Sequence, residues 1–204
     1  MTERFRLPLD ESAVSVLLRA AYEVEVELRH RQFVEDKFTL DNLCSVSSYM
    51  TKNNSSFGMM FAGKSGNGKS TMLNALANTI QMLVRSDKLG EYKGLLIVDA
   101  RHVVLYSKNQ KTFKELCDIP LLAIEDLGRE PVEVVEYGNV FTPVIELLEY
   151  RYDKQLFTIV TTNLNRDEIP SRYGRRMADR FNEMFNKIVF RKEDSYRCIT
   201  QNLD

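Results

Sequence analysis

With 204 residues, 44% of them hydrophobic and 28% charged, the chain has the length of one globular domain plus a short appendage. A formal net charge of −1 excludes a globally basic nucleic-acid binder, and no apolar run approaches the roughly 20 residues of a membrane span. Met1-Thr2-Glu3-Arg4-Phe5-Arg6 meets Asp10 and Glu11 before any secretory apolar region, and Cys44, Cys117 and Cys198 lack paired spacing, so a cytoplasmic chain with buried free thiols and no membrane partner is expected.

Residues 10–36 read as helical, with Asp10 as N-cap and Val14, Leu17, Leu18, Ala21, Val24 and Leu28 at helical spacing. Leu40 to Met50 reads as a second helix capped by Asp41, and the polar stretch Thr51 to Ser56 as a turn. This organisation predicts an N-terminal helical extension over 1–52 and an ATPase-like domain over 53–204. From there strand and helix alternate: strand Phe57–Ala62, helix Lys69–Ser86, strand Leu95–Asp99, helix Arg101–Ser107, strand Pro120–Ile124, helix Asn139–Tyr152 and strand Leu156–Thr161, with a last strand over Lys187–Phe190. Such alternation specifies an α/β fold with a parallel sheet sandwiched by helices and ligands at the carboxyl ends of its strands.

The segment Gly63-Lys64-Ser65-Gly66-Asn67-Gly68-Lys69-Ser70 matches the P-loop (Walker A) pattern at every fixed position, after a strand and before a helix. Glycines there let backbone N–H groups converge on a β-phosphate, and the following helix adds its positive end. The pattern predicts ATP and Mg2+ as ligands. Lys69 would reach the β- and γ-phosphates, the Ser70 hydroxyl would ligate Mg2+, and Thr71 would lie near the α-phosphate, with Ser65 and Asn67 completing the loop.

Leu121-Leu122-Ala123-Ile124-Glu125-Asp126-Leu127-Gly128 is an apolar strand ending in two carboxylates, the Walker B layout. In P-loop ATPases with an extra strand between the loop strand and the acidic strand, the first acid orients Mg2+-bound water and the second polarises the attacking water. Leu95–Asp99 is a candidate for that extra strand, which assigns Glu125 to the metal side and Asp126 to the base. The usual order is Asp then Glu; the exchanged lengths predict slow hydrolysis with nucleotide binding retained. Asn163 follows the strand Leu156–Thr161, where it can serve as a γ-phosphate sensor or simply as a turn residue. Arg176 and Arg180 stand four apart, so one helix face can offer an arginine finger to a neighbouring subunit or pair locally with Asp179 and Glu183. The wider run of bases from Arg166 to Arg197 reads mostly as solvated surface, with weak single-stranded DNA contact as an alternative.

The motif order resembles the AAA+ ATPases, and within them the DnaC/IstB group of helicase loaders and transposition helper ATPases. The likeness rests on Gly63–Thr71, Leu121–Gly128, Thr161-Thr162-Asn163-Leu164, and Tyr173-Gly174-Arg175-Arg176-Met177-Ala178-Asp179-Arg180-Phe181 followed by Asp194-Ser195-Tyr196-Arg197. The resemblance implies ATP binding by Gly66, Gly68, Lys69, Ser70 and Thr71, Mg2+ handling by Ser70 and Glu125, a sensor at Asn163, a finger at Arg176 or Arg180, and a second-sensor-like role for Arg197. It also implies an ATP-dependent homo-oligomer acting on single-stranded DNA through a replicative helicase, or through a transposase in the helper reading. The chain ends at Asp204, before the separate helical lid domain of most AAA+ proteins, and residues 1–56 are shorter than a full helicase-binding domain. That segment could form an adaptor helix or pack on its own ATPase core. A nucleotide or small-molecule kinase is the alternative from another class, and a nucleotide-locked adaptor a third.

Overall fold

The structure, a computed structural model, describes residues 4–84, 94–136, 138–191 and 195–196. Its elements run α1 (Glu11–Glu27), α2 (Lys37–Thr51), β1 (Gly58–Ala62), α3 (Lys69–Val84), β2 (Leu96–Asp99), α4 (Ala100–Tyr106), α5 (Gln110–Asp118) and β3 (Leu122–Leu127). There follow β4 (Val134–Glu136), β5 (Asn139–Phe141), α6 (Pro143–Asp153), β6 (Thr158–Thr162), α7 (Glu168–Tyr173), α8 (Arg175–Met184) and β7 (Phe185–Val189). A parallel sheet has the order β2-β3-β6-β1-β7. The strand between β1 and β3 is therefore β6, not the Leu95–Asp99 segment, which forms the edge strand β2. Sequence order cannot reveal this, because a crossover helix lets a late strand enter the middle of a sheet.

The chain forms two compact units, to both of which β1 and β7 contribute. One comprises the described residues of 3–54, 61–95 and 187–204. Here Asp10 caps α1, accepting from the Ala13 N–H at 2.9 Å. The helix ends at Glu27 rather than near residue 36, because His30 adopts φ +54 and turns the chain out of the helix. Asp36, not Asp41, caps α2 through the Thr39 N–H at 2.8 Å, and Cys44 on that helix is exposed rather than buried, unlike Cys117. The apolar stripe of α1, buried at Val14, Leu18, Ala21 and Tyr22, packs on α2 and α3. Buried Glu25 adds a polar tie, accepting from Asn78 of α3 at 2.9 Å and from Arg29 at 2.7 Å.

The other unit is built from Ser55–Met60 and Leu96–Asn186. Its strands pair in parallel, Leu96 opposite Leu122 and Leu122 opposite Thr158. Asp99 caps α4 and takes three bonds from Arg101, which hold its carboxyl down at about 2. Helices α5 and α7 and the β4–β5 hairpin escape sequence reading. Helix α5 buries only Leu116 and Cys117, too few for a visible stripe. Residues 139–141, expected at the start of a helix, instead form β5 of the antiparallel β4–β5 hairpin, and α6 begins at Pro143, whose fixed φ suits a first helical turn.

The largest fully buried side chain is Arg151. Its guanidinium donates to the carbonyls of Cys117 (3.0 Å), Ile119 (2.7 Å) and Phe157 (2.6 Å) and to the Thr158 hydroxyl (2.8 Å), joining α6, the end of α5 and the start of β6. Burial pushes its pKa down to about 9, still high enough to keep the charge at neutral pH. Three buried carbonyls depend on this one cation, so its removal leaves several acceptors desolvated and unpaired. Arg151→Met is expected to lower the unfolding free energy by about 3 kcal/mol or more. Urea denaturation followed by circular dichroism measures this, and a loss below about 1 kcal/mol would contradict the clamp.

Candidate nucleotide-binding site

The strand β1 leaves the sheet at Ala62 and the chain must enter α3 at Lys69. Six residues make that connection. Gly63, Gly66 and Gly68 take φ values of +153, +85 and +86, conformations that side chains avoid and that a loop presenting successive amides to an anion requires. At Gly63 a Cβ would stand 2.5 Å from the Phe190 carbonyl oxygen, and at Gly68 it would stand 2.5 Å from the Tyr22 hydroxyl. Both positions thus exclude side chains by conformation and by space.

The loop is fastened from three directions within its unit. The Phe190 N–H donates to the Ala62 carbonyl at 2.8 Å, and buried Asn67 donates its Nδ2 to the Phe190 carbonyl at 3.0 Å. The Tyr196 N–H donates to the Gly66 carbonyl at 3.1 Å. The Tyr196 hydroxyl donates to Asp36 at 2.8 Å and accepts from Thr39 at 2.7 Å, so the cap of α2 is linked to the loop. Tyr22 reaches Gly68 from α1, and burial pushes its hydroxyl up to about 12, with Asp36 adding to the effect and Arg29 opposing it. Sequence reading misses Tyr22, Phe190 and Tyr196, because their role is proximity across long sequence separations.

Lys69 curls back over the loop, its Nζ donating to the Gly63 carbonyl at 2.7 Å and the Lys64 carbonyl at 2.8 Å. Ser70 and Thr71 lie half-buried in the first turn of α3, and Ser65 is exposed on the loop. A loop of glycines at positive φ, the Lys69 ammonium against its carbonyls and a 16-residue helix that starts at its end fit a polyphosphate. Among the described residues no cluster of three His, Cys, Asp or Glu side chains could hold a metal by itself.

In the other unit β3 ends irregularly. Ile124 pairs with Val160 and Leu127 with Thr162, so β3 uses three steps where β6 uses two, a bulge with one extra residue. Asp126 occupies it at φ +57, its N–H donating to the Thr161 hydroxyl at 2.9 Å. Thr162 donates to the Leu127 carbonyl at 2.7 Å and accepts from the Leu164 N–H at 3.0 Å. Glu125, opposite Asp99, is half-buried and has no hydrogen bond or ion pair among the described residues. The Asp126 carboxylate pairs with Arg129 at 2.6 Å. Asn163 stands exposed directly after β6.

The two arginine candidates differ. Arg180 is bound to Glu149 at 2.5 Å, approaches Asp153 at 3.9 Å and lies 5.0 Å from the Tyr152 ring centre. The local partners expected for it, Asp179 and Glu183, are not the ones it uses; Glu183 instead accepts from the Tyr152 hydroxyl. Arg176 is exposed and carries no ion pair or hydrogen bond among the described residues. Arg197 lies outside the described residues. For the loop, Gly68→Ala is expected to lose about 1 to 2 kcal/mol of stability from its left-handed φ and the crowding at Tyr22. Urea unfolding of Gly68→Ala with and without Tyr22→Phe measures the crowding share, and full additivity of the two would show that there is none.

No protein-family model matches the sequence, and no curated protein matches it significantly. Solved structures of similar fold do exist. The DnaC helicase loader is 21% identical with a TM-score of 0.56 over 77% of this chain and 92% of that one. DnaI is 18% identical with a TM-score of 0.57 over 77% and 87%. AMPPCP-bound DnaA from Aquifex aeolicus is 15% identical with a TM-score of 0.55 over 81% and 50%. With its parallel sheet flanked by helices and its strand order β2-β3-β6-β1-β7, the chain shares the α/β fold of the DnaC helicase loader, DnaI and DnaA structures.

Proposed function

We propose that this chain is a replication ATPase that binds Mg-ATP on Gly63–Thr71, assembles with further copies of itself when ATP is bound, and acts on single-stranded DNA through a replicative helicase. The observation that carries the reading is the loop itself, in which the glycine φ values and the Lys69 ammonium together fit a polyphosphate. The fold likeness to the DnaC helicase loader and DnaI supports the replication side over a transposition helper. A kinase would need an acceptor-substrate site and a mobile arginine-bearing lid, and the Thr162-Asn163 strand end and the Arg176/Arg180 pair fit the ATPase better.

In this reading Lys69 leaves the loop carbonyls for the β- and γ-phosphates, an exchange of neutral acceptors for charged ones that favours binding. Bound Mg2+ would be held by Ser70 with Glu125 on its water shell, and it would neutralise charge on the phosphate oxygens. Asp126 accepts the proton of the attacking water, which requires its carboxylate to leave Arg129. Arg129 is 55% exposed, so opening that pair costs at most about 1 kcal/mol. Asn163 orients the water against the γ-phosphate. Arg176, on a neighbouring subunit, offers its guanidinium, unengaged among the described residues, to the transition-state charge, whereas Arg180 is committed to Glu149.

Three variants separate these roles. Lys69→Ala is expected to abolish binding of a fluorescent ATP analogue. Arg176→Ala is expected to keep that binding and to lower assembly-dependent phosphate release by about 10³-fold, the low end of finger contributions. Arg180→Ala is expected to lower thermal stability first. Unchanged turnover in Arg176→Ala would refute the finger, and transfer of the γ-phosphate to a nucleoside monophosphate would replace the ATPase reading with a kinase.

A further inference from the structure

Beyond the bulge, the chain leaves β3 through Gly128 and Arg129 and reaches Glu130, whose side chain is completely buried. A buried carboxylate must be matched by donors, and three converge on it. The Gly128 N–H donates at 2.8 Å and the Tyr173 hydroxyl at 2.5 Å, while Arg172 approaches with Nε at 3.7 Å and donates to the Glu130 carbonyl. Tyr173 is itself buried, and burial together with the Glu130 carboxylate pushes its hydroxyl upward, so it remains a donor at all working pH values. Arg172 and Tyr173 are the last two residues of α7; Gly174, at φ +82, breaks the helix, and Arg175 and Arg176 open α8.

The ring of Tyr173 continues the connection. It lies 5.9 Å from the ring of Phe181 on α8, which in turn stands 5.4 Å from Phe185 at the start of β7. One buried carboxylate therefore binds the exit of the acidic strand to the break between α7 and α8. The Arg176 backbone lies two residues past that break. Nothing in the ATPase chemistry given above uses Glu130, Arg172 or Tyr173.

We propose that Glu130 is a positioning residue: through Tyr173 and Arg172 it sets the α7–α8 junction, and thereby Arg176, for the ATP of the neighbouring subunit. This rests on the finger reading of Arg176. The role is mechanical, a contiguous set of hydrogen bonds and packed rings that leaves α8 one seating relative to the strand end. Glu130→Gln keeps the size and one acceptor oxygen but turns an amide toward groups that are all donors. Tyr173→Phe keeps the ring against Phe181 and deletes the hydroxyl.

The test is complementation between subunits. Asp126→Asn subunits bind ATP without turning it over, yet supply an intact Arg176 to a neighbour. Both Glu130→Gln and Tyr173→Phe are expected to bind ATP with the affinity of the unmodified chain and to lose about 10-fold to 10²-fold in assembly-dependent phosphate release. Excess Asp126→Asn subunits are expected to restore turnover on the Glu130→Gln subunits, as they should for Arg176→Ala. If Arg176→Ala is rescued and Glu130→Gln is not, or if neither the Glu130 nor the Tyr173 variant is slowed, the positioning role is overturned and the finger stands. If Arg176→Ala itself is not rescued, the finger reading fails and the positioning role falls with it.

Discussion

A chain that must leave a strand and start a helix within six residues has few conformations open to it. In this protein the solution is a loop whose glycines sit at φ values that side chains avoid, with Phe190 and Tyr22 packed against the bare faces of Gly63 and Gly68. The loop's shape is thus set both by its own dihedrals and by what presses on it. That makes the N-terminal helices part of the loop's support: Tyr22 comes from α1, and Asp36 and Thr39 at the start of α2 hold Tyr196, whose N–H binds Gly66. The apolar stripe of α1 is covered by α2 and α3, so the segment preceding the loop is structurally committed within its own unit.

The acidic strand end follows a different logic. Its geometry comes from a bulge, and the bulge is stabilised by hydroxyls rather than by regular pairing. Thr161 satisfies the N–H that the extra residue orphans, and Thr162 holds the next carbonyl. Each bond contributes about 1 kcal/mol, yet together they permit Asp126 to keep a left-handed φ that costs about the same. Bulges of this kind re-aim side chains, as the separate tasks proposed for Glu125 and Asp126 would require.

Four arginines illustrate how surroundings assign function to one residue type. Arg151, fully buried, is a structural clamp on carbonyls; Arg180, mostly covered, is neutralised by Glu149; Arg129 makes a solvent-screened pair with Asp126; Arg176 is exposed and unengaged among the described residues. Electrostatics ranks them. Desolvation makes the first arrangement costly to break, while screening makes the third cheap to open. Only an arginine without a local partner can be offered to another subunit at no cost to its own fold.

The local features were legible from the residues alone. The Walker A spacing, the apolar runs of β1, β3 and β6, and the cap at Asp10 depend on neighbours a few positions away, and dihedral preference and periodicity report on those. What the chain order could not carry was the insertion of β6 between β1 and β3, the hairpin in place of a helix start at residue 139, and the partner of Arg180. Glu130 was equally silent, since an acid in a turn reads as solvated until Tyr173, 43 residues later, is brought against it. The sequence by itself determined the α/β alternation and the phosphate loop. Tertiary structure decided which strand is central, which charges are buried and which acid holds Arg180, because burial and pairing are properties of residues brought together from distant positions.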